Sequence, residues 1–401
     1  MKINLTFSFF FILVITAVSC QHTKQTWVGT WSCAPQLVEP HNMPPEPGLT
    51  NSTLRQVVRV SIGGDSVRVR FSNEFSSSPV TIRKANIALS AGGSKIDAST
   101  ITMLTFNNNQ EVTMEPGMAV TSDPVAFRIK PRTDIAITIF FGTTSPDVTG
   151  HPGSRTTSYL ISGDHTSMPE LSDAATADRW YIINGIDVKA SDKAASIVVI
   201  GNSITDGRGS GTNKQNRWPD ILAERLIQNP ATSNVAVLNQ GIGGNCVLRP
   251  CLGPSALDRF ERDVLRQHGV HWLIILEGIN DIGQAPDSTA AISIADNLIT
   301  AYKQMTEKAH SSGIKVYGAT ILPFKDSFYY TDFREAARRK VNEWIRQNNY
   351  FDAIIDFDMI MRNPEDTLSL LPETHTGDFL HPNEKGYQIM GESIDLKLFI
   401  K

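Results

Sequence analysis

The feature that most constrains the fold is a series of short apolar runs in the second half of the chain. The first run, residues 196–200, is nearly continuous and rich in β-branched residues, which is typical of a parallel strand covered on both faces. Similar runs follow at residues 235–238, 272–276, 315–319 and 353–355. Helix-like stretches separate them, at residues 218–228, 255–267, 291–311 and 331–347, with a last one beginning near Asn383. This alternation predicts an α/β fold, a doubly wound parallel sheet of about five strands.

The first half of the chain has a different periodicity, in which apolar and polar residues alternate. The alternation is clear at residues 67–71 and recurs at residues 80–82, 125–129 and 135–141. Because alternation predicts half-buried strands, we expect an all-β sandwich or jelly-roll-like domain here. The Gly63-Gly64-Asp65 segment lies between two such runs, residues 58–62 and 67–71, and predicts a β-hairpin.

The chain has 401 residues, which is more than one hydrophobic core usually supports, so we expect two domains. The change of periodicity near Ser191 divides the chain into a β-sandwich accessory domain, residues 21–190, and an α/β domain, residues 191–401. The accessory domain could bind carbohydrate, or it could be a structural partner that packs on the second domain.

The first 20 residues have the pattern of an export signal. Lys2 precedes an apolar stretch, residues 5–18, that is too short to span a bilayer comfortably. Small residues then lead to Cys20, which resembles the lipobox of bacterial lipoproteins, although Ala17 stands where a lipobox usually has Leu. We therefore expect an exported protein, lipid-anchored through Cys20 to the outer membrane or cell surface, with a periplasmic or secreted form as the alternative.

The charge balance argues against a nucleic-acid partner. The chain has 37 Lys and Arg residues against 41 Asp and Glu residues, a formal net charge of −4. This leaves no basic excess for a phosphate backbone or an anionic bilayer surface. We expect contact with a membrane only through the lipid anchor.

The cysteine spacing points to a disulfide and not to a metal site. Cys246 and Cys251 lie in a Gly- and Pro-rich stretch, which in an exported protein predicts a loop disulfide, with two buried thiols as the alternative. Cys33 is then unpaired and is expected to be a small buried hydrophobe. There is no CxxC motif and no paired Cys/His spacing for zinc, so no metal and no other cofactor is expected.

Polar and glycine-rich segments follow three successive predicted strands, at the edge where doubly wound sheets bind ligands. The first strand ends in a glycine-flanked turn that would expose Ser203, a candidate nucleophile. The second strand runs into residues 239–245, where missing Cβ atoms let a backbone N–H approach a ligand, and the third delivers the amide of Asn280, which can donate to an oxyanion. Before the last helix, Asp378 lies three residues from His381, a spacing that lets the carboxylate orient the imidazole as a base.

In this order, the residues resemble the SGNH, or GDSL-type, hydrolase superfamily, whose four blocks are named for such Ser, Gly, Asn and His residues. Residues 203–210 and 216–220 further resemble a subgroup of arylesterases or acylhydrolases encoded among plant-polysaccharide degradation genes. Residues 27–31, 54–59 and 151–155 resemble stretches in the β-rich forward domain of that subgroup. The resemblance covers nearly the whole mature chain.

The resemblance implies a role for each residue of the constellation. Ser203 would be the nucleophile, His381 the base and Asp378 the residue that orients the base. The N–H of Ser203, the N–H of Gly244 and the amide of Asn280 would form the oxyanion hole.

Two positions do not match the family pattern directly. We assign the family glycine to Gly244 and not to Gly243, because the family glycine precedes a polar residue, here Asn245. The Gly-Asp-Ser of the family reads Gly-Asn202-Ser in this chain, which affects a hydrogen bond of the turn more than the activity.

Together these features predict a serine carboxylic-ester hydrolase that removes short acyl groups, acetyl foremost, from plant polysaccharide. Trp218, Phe328, Tyr329 and Tyr330 could stack on a sugar or belong to the framework. Two alternatives remain. An acyltransferase would use the same site with a sugar hydroxyl in place of water, and a non-catalytic carbohydrate-binding surface lipoprotein is suggested by Asn202.

Other kinds of site fit the sequence less well. A dinucleotide-binding GxGxxG motif starting at Gly241 fails at Cys246, and the GxSxG motif of ordinary α/β-hydrolases fails at Thr205. A metal site made of His375, Asp378 and His381 lacks an accompanying HExxH-like helix.

Overall fold

The computed structural model describes residues 25–347 and 349–401, so Cys20 and the predicted export signal lie outside the described residues. Within these residues, no helix has both the length and the apolar character needed to cross a membrane. The first half consists mainly of strands: β1 (Gln25–Ser32), β2 (Gln36–Leu37), β3 (Ser52–Arg59), β4 (Gly64–Asn73), β5 (Val80–Gly92), β6 (Lys95–Ile96), β7 (Thr102–Leu104), β8 (Val112–Met114), β9 (Met118–Thr121), β10 (Val125–Ile129), β11 (Asp134–Phe141), β12 (Thr149–His151), β13 (Ser158–Ser162), β14 (Ala175–Ala177), β15 (Trp180–Tyr181) and β16 (Ile183–Ser191).

These strands form antiparallel sheets. One sheet has the order β1-β16-β4-β10, with β9 also paired to β4, and a larger sheet has the order β14-β13-β3-β11-β5-β6, with β7 and β8 paired to β5. A small third sheet has the order β15-β12-β2. Alternate residues of β4 and of β11, such as Val67, Val69, Ile135 and Ile137, enter one hydrophobic core that both large sheets share. The predicted alternation therefore marks the buried face of each strand.

The predicted β-hairpin at Gly63-Gly64 does not form. Strand β3 pairs with β11 and β13, whereas β4 pairs with β16, β10 and β9, so the two strands lie in different sheets. Ser61, in the link between them, donates its N–H to the Thr30 carbonyl and its hydroxyl to the carbonyl of Val237. Because Ser61 and its neighbours are buried against β1 and the second half of the chain, the link crosses between sheets instead of turning back.

The second half alternates strands and helices, as predicted. Its strands are β17 (Ala195–Gly201), β18 (Val235–Gly241), β19 (Val270–Leu276), β20 (Lys315–Ala319) and β21 (Ala353–Ile355). Its helices are α1 (Ser203–Asp206), α2 (Trp218–Gln228), α3 (Ala256–Phe260), α4 (Ile279–Gly283), α5 (Ser288–Ser311), α6 (Asp332–Gln347), α7 (Phe357–Met361) and α8 (Glu384–Ser393). The predicted helix at residues 255–267 is shorter, since α3 gives way to a π-helical turn at Glu261–Leu265.

The five strands form a parallel sheet in the order β18-β17-β19-β20-β21, which confirms the predicted doubly wound sheet. Val198 and Ile200 of β17 enter one hydrophobic core, and Ile197 and Val199 enter another on the opposite face. Both faces are therefore covered, which explains the nearly continuous apolar run. The strand order reverses at β17, so the carboxyl ends of β17, β18 and β19 meet at one place.

The two halves of the chain are in direct contact. The N–H of Gly29 in β1 donates to the carbonyl of His268, and the Gln240 amide donates to the hydroxyl of Ser32 over 2.7 Å. Ala236 of β18 belongs to the hydrophobic core of the first half. The sheets thus share buried surface, and the division into two domains near residue 190 stays a prediction.

Candidate active site

Ser203 lies in a tight turn between β17 and α1. The side chain of Asn202 accepts the N–H of Ile204 and caps α1, and Gly207, in the left-handed region at φ 101°, ends it. A Cβ at position 201 would collide with the side chain of Thr205, so glycine is needed where the chain folds back. The turn presents Ser203 at the carboxyl edge of the sheet, where its side chain reaches a cavity.

The structure brings Ser203, His381 and Asp378 into one chain of hydrogen bonds. Ser203 Oγ lies 2.8 Å from His381 Nε2, and His381 Nδ1 lies 2.6 Å from Asp378 Oδ2. An ionised carboxylate can only accept, so Nδ1 carries a proton and Nε2 of the neutral ring is free to accept from the serine hydroxyl. This arrangement can remove a proton from Ser203 as it attacks a carbonyl group.

The loop before α8 fixes the geometry of Asp378 and His381. Oδ1 of Asp378 accepts the backbone N–H groups of Leu380 and His381, at 3.0 and 2.9 Å. Phe379 adopts the left-handed conformation, φ 57°, which allows this short turn. His375 lies outside the hydrogen-bonded chain, because its ring packs against Phe379 and its Nδ1 accepts the N–H of Gly377.

The electrostatics suit a base that is neutral near pH 7. Burial lowers the pKa of His381, the hydrogen bond to Asp378 opposes that shift, and the positive charges of Arg208 and Arg155 add to it. Burial alone would raise the pKa of Asp378, but the hydrogen bonds from His381 and Leu380 hold it well below its ordinary value. Asp378 is therefore ionised near neutral pH. His381 stays neutral down to a pH below the ordinary pKa of histidine.

The predicted oxyanion-hole residues line the same cavity as Ser203. Gly243, Gly244 and Asn280 all border it. One N–H of the Asn280 amide donates to the carbonyl of Asn245 over 2.7 Å, which leaves a second N–H for a ligand. The hydroxyl of Tyr329 donates to Oδ1 of Asn280 over 3.1 Å and so fixes which end of the amide is the donor.

The loop that follows Gly244 is held from two sides. Cys246 and Cys251 are joined by a disulfide bond, while Cys33 is free and buried. The carboxylate of Asp281, directly after Asn280, accepts the backbone N–H groups of Val247 and Leu248 at 2.9 and 3.0 Å. The role of Asp281 was not predicted, since sequence spacing alone does not show which loop its carboxylate reaches.

A further contact that the sequence did not reveal joins His151 of the first half to Asp206 at the end of α1. Both side chains are buried, and His151 Nε2 lies 2.9 Å from Asp206 Oδ1. Nδ1 of His151 faces the carbonyl of Ala34 at 2.9 Å. The contact ties the turn that carries Ser203 to β12.

The cavity at this edge has a volume of about 660 Å³ and is lined by both halves of the chain. The first half contributes polar residues such as Glu39, Arg155 and Arg179, and the second half contributes Ser203 and His381. The cavity is therefore large enough for an ester bigger than a simple alkyl acetate, and residues of both halves line it.

The aromatic residues singled out in the sequence occupy different places. Phe328 is 71% exposed and lies with Tyr329 at the cavity. Trp218 is fully buried against Phe357, so the idea that it stacks on a sugar is wrong. Tyr330 packs on Phe324.

A metal site would need several ligating side chains close together. Residues 25–347 and 349–401 contain no group of three or more His, Cys, Asp or Glu side chains placed to hold a metal ion.

One known protein family matches part of the chain. Residues 199–389 match the model of the GDSL-like lipase/acylhydrolase family. No curated protein matches the chain.

Several solved structures resemble about half of the chain. A GDSL-like lipase from Bacteroides thetaiotaomicron is 22% identical, with 53% of this chain and 90% of the other aligned, at a TM-score of 0.38. An acetyl xylan esterase from Geobacillus stearothermophilus is 19% identical, with 51% and 94% aligned, at a TM-score of 0.40. A lipase/acylhydrolase from Enterococcus faecalis is 22% identical, with 52% and 97% aligned, also at 0.40.

Proposed function

Because residues 199–389 form a GDSL-like lipase/acylhydrolase domain and the chain is therefore a carboxylic-ester hydrolase, we propose that it removes short acyl groups through an acyl-Ser intermediate on Ser203. The observation that carries the proposal is the continuous hydrogen bonding from Ser203 through His381 to Asp378 beside the cavity. Each of these residues has the partner that its role requires.

The reaction follows from the positions of the donors and acceptors. Ser203 Oγ attacks the ester carbonyl while His381 Nε2 takes its proton, and the ionised Asp378 stabilises the imidazolium that forms. Negative charge collects on the former carbonyl oxygen, to which the Asn280 amide and the N–H groups of Ser203 and Gly244 can donate. His381 then gives the proton to the leaving alcohol, and water repeats the sequence to release the acid.

We propose acetylated saccharides as the substrates. The cavity of about 660 Å³ is larger than a short acyl group needs, so most of its volume is available to the alcohol part of the ester. Exposed Phe328 offers an aromatic face beside it, which suits the apolar face of a sugar ring. The polar lining from the first half supplies hydrogen-bonding groups for hydroxyls.

The proposal extends to the organisation and location of the chain. Residues 21–190 act as a β-sandwich accessory domain that completes the wall of the cavity, and residues 191–401 act as the catalytic domain. Export and lipid anchoring at Cys20 would place the enzyme where polymeric saccharides are accessible. Metabolic labelling with a radioactive fatty acid tests the anchor, and equal labelling of a Cys20→Ala variant would contradict it.

Turnover and active-site labelling test the hydrolase mechanism. Wild-type protein should hydrolyse 4-nitrophenyl acetate and react with a fluorophosphonate probe, whereas Ser203→Ala should lose both without unfolding. His375→Ala is the matched control for His381→Ala, because His375 lies on the same loop outside the hydrogen-bonded chain. Labelling of Ser203→Ala, or loss of turnover in His375→Ala alone, would refute the assignment.

Product analysis separates hydrolysis from transfer. Acetylated xylan and acetylated pectin should release free acetate in amounts equal to the ester consumed. Acetyl groups recovered on an added acceptor sugar would instead assign the same residues to an acyltransferase.

A further inference from the structure

We propose that Arg155 and Arg208 form an anion-binding subsite beside Ser203, for a carboxylate carried by the sugar part of the substrate. Both arginines line the cavity that contains Ser203 and His381. Arg155 comes from the loop between β12 and β13, and Arg208 comes from the loop after α1. The inference rests on the proposed function, since it names the class of sugar ester that the same site would hydrolyse.

The two guanidinium groups are available to a ligand. Within the described ranges, neither Arg155 nor Arg208 makes an ion pair, and Arg155 Nε donates only a long hydrogen bond, 3.4 Å, to the carbonyl of Gly207. Buried arginines elsewhere, such as Arg259 and Arg338, pair with carboxylates of the chain. The cavity arginines therefore retain the paired N–H groups that match a carboxylate.

The backbone of Arg155 has an unusual conformation that a hydrogen bond to a neighbouring loop maintains. Its φ angle is 51°, in the left-handed region that a residue with a Cβ rarely adopts. The Arg155 carbonyl accepts the N–H of Asn213 at 2.9 Å, which fixes the loop in this conformation. Backbone strain of this kind concentrates at ligand-binding positions, where the surrounding structure maintains it.

The acidic residues that the structure describes at the cavity bind other partners, and none of them forms an ion pair with Arg155 or Arg208. The carboxylate of Glu39 accepts hydrogen bonds from Gln36 and Asn42. The carboxylate of Asp178 accepts from Thr157 and Thr212, and Asp206 lies against His151. The chain as a whole carries a net charge of −4. The two unpaired guanidinium groups at the cavity are therefore a local feature and do not follow from composition.

The position of the arginines indicates which part of the ester carries the anion. His381 gives its proton to the leaving alcohol, so the alcohol lies on the side of His381. Arg208 precedes Gly209, whose backbone packs against the carbonyl of Pro382 next to His381, and Arg155 Nε contacts the Gly207 carbonyl, so both arginines lie on that side too. The oxyanion donors have different neighbours: Tyr329 binds Asn280, and the Leu252 side chain packs beside Gly244. The carboxylate therefore belongs to the sugar, as in acetylated uronic acids.

A pair of substrates that differ only in charge tests the subsite. One is an acetylated methyl uronide, and the other is its methyl ester, which keeps the shape and removes the charge. Wild-type protein should favour the free acid by about tenfold or more in kcat/KM, mainly through KM, and the preference should shrink as salt is added. Arg155→Gln and Arg208→Gln should each reduce the preference severalfold.

A charge-matched control is available outside the cavity. Arg128 in β10 is 88% exposed and pairs with Asp65, away from the cavity, so Arg128→Gln removes the same charge and should keep the full preference. Arg208 is exposed, and its variant is expected to fold even if the strained loop of Arg155 does not tolerate substitution.

Hydrolysis of 4-nitrophenyl acetate by the wild type separates the two hypotheses. If that ester is cleaved and the acid and methyl ester react equally well, the subsite is wrong while the hydrolase mechanism stands. If no ester is cleaved, the proposed function itself fails. Equal losses on both uronides in Arg208→Gln would indicate a structural role and overturn the proposal. The wild type can also be compared on 4-nitrophenyl hemisuccinate, whose acyl group is anionic, and on neutral 4-nitrophenyl butyrate. A preference for the hemisuccinate that is lost in Arg208→Gln would place the anion on the acyl side and would also overturn the proposal.

Discussion

Nδ2 of Asn202 donates to Oε2 of Glu277 over 3.3 Å, and both side chains are buried next to the turn that carries Ser203. Glu277 directly follows β19, so the contact joins the ends of two neighbouring strands. The other end of the same amide caps α1 through Ile204. An aspartate at position 202, the residue of the family motif, would bring two carboxyl groups together here. The asparagine of this chain is thus matched to Glu277.

Restoring the family residue should therefore destabilise this protein in a pH-dependent way. In Asn202→Asp the two carboxyl groups can share a proton at pH 6, but they repel each other once that proton is lost. We expect a loss of unfolding free energy that grows from pH 6 to pH 9. In a cycle with Glu277→Gln, the coupling energy at pH 9 should be about 1 to 3 kcal/mol. A pH-independent effect that Glu277→Gln does not relieve would contradict this account.

Glu277 itself should make stability depend on pH. Burial raises its pKa from an ordinary 4.5 to about 8, while the nearby Arg259 opposes the shift. Between pH 4.5 and 8 the unfolded chain loses this proton and the folded chain keeps it, so the contribution of Glu277 to stability falls as pH rises, by up to about 1.4 kcal/mol per pH unit. The unfolding free energy of Glu277→Gln, measured with denaturant, should equal that of the wild type near pH 5 and exceed it near pH 8. If the unfolding free energies of the two proteins changed with pH in parallel, Glu277 would be ionised in the folded protein and the prediction would be wrong.

The pH–rate profile should reflect the lowered pKa of His381. His381 must be neutral to accept the proton of Ser203, so kcat/KM should rise with pH with a midpoint below the ordinary 6.5 of histidine. Arg208→Gln removes a positive charge that lowers this pKa, and should move the midpoint to higher pH at low salt. The measurement uses a neutral aryl ester, so that binding of an anion does not enter. A midpoint above 6.5, or one that Arg208→Gln moves down, would contradict the electrostatic account.

The sequence predicted the parts of the fold that depend on local pattern. The apolar runs and the helical stretches of the second half lie where the structure has β17 to β21 and their helices, because a strand buried on both faces leaves a continuous signal. The residues around Ser203, Asn280 and His381 could be found for a related reason. Ser203 and Asn280 follow strand ends, which the topology brings together, and His381 was found from its spacing of three from Asp378 before the last helix.

Contacts between distant segments left no such signal. The Gly63-Gly64 turn looks like a hairpin locally, yet burial of Ser61 against Val237 sends the chain to another sheet. His151 and Asp206 are 55 positions apart, and nothing in their spacing pairs them. The fit of Asn202 to Glu277 is of the same kind, since it depends on two strands being neighbours.

Loss of the disulfide should weaken the loop after Gly244 without abolishing activity. The bridge between Cys246 and Cys251 closes a short loop, for which chain entropy gives about 2 kcal/mol of stability. The hydrogen bonds from Val247 and Leu248 to Asp281 remain and keep the loop near the cavity. We expect Cys246→Ser/Cys251→Ser to have a lower melting temperature and a modestly lower kcat. Intact-mass measurement before and after reduction checks that the bridge exists, and two free thiols in exported protein would refute the premise.

The amide of Asn280 should matter to the transition state more than to substrate binding. Charge develops on the carbonyl oxygen only as Ser203 attacks, and a preorganised donor in a buried site stabilises that charge without reorganisation. Asn280→Ala should therefore lower kcat by a factor on the order of 10² to 10³, with little change in KM. If Asn280 only supports the loop through its hydrogen bond to Asn245, kcat per folded molecule would stay near the wild type while the melting temperature falls.

Tyr329→Phe provides a graded test of the same donor. Its hydroxyl accounts for the orientation of Asn280, because it donates to Oδ1 and leaves Nδ2 as the group that faces Asn245 and the cavity. Without that hydroxyl the amide can rotate by half a turn, which would present an acceptor to the developing oxyanion. We expect kcat to fall severalfold, less than in Asn280→Ala, with KM unchanged. In the double variant the loss should equal that of Asn280→Ala alone, since Tyr329 acts only through the amide. Independent, multiplicative losses would mean that Tyr329 contacts the substrate directly.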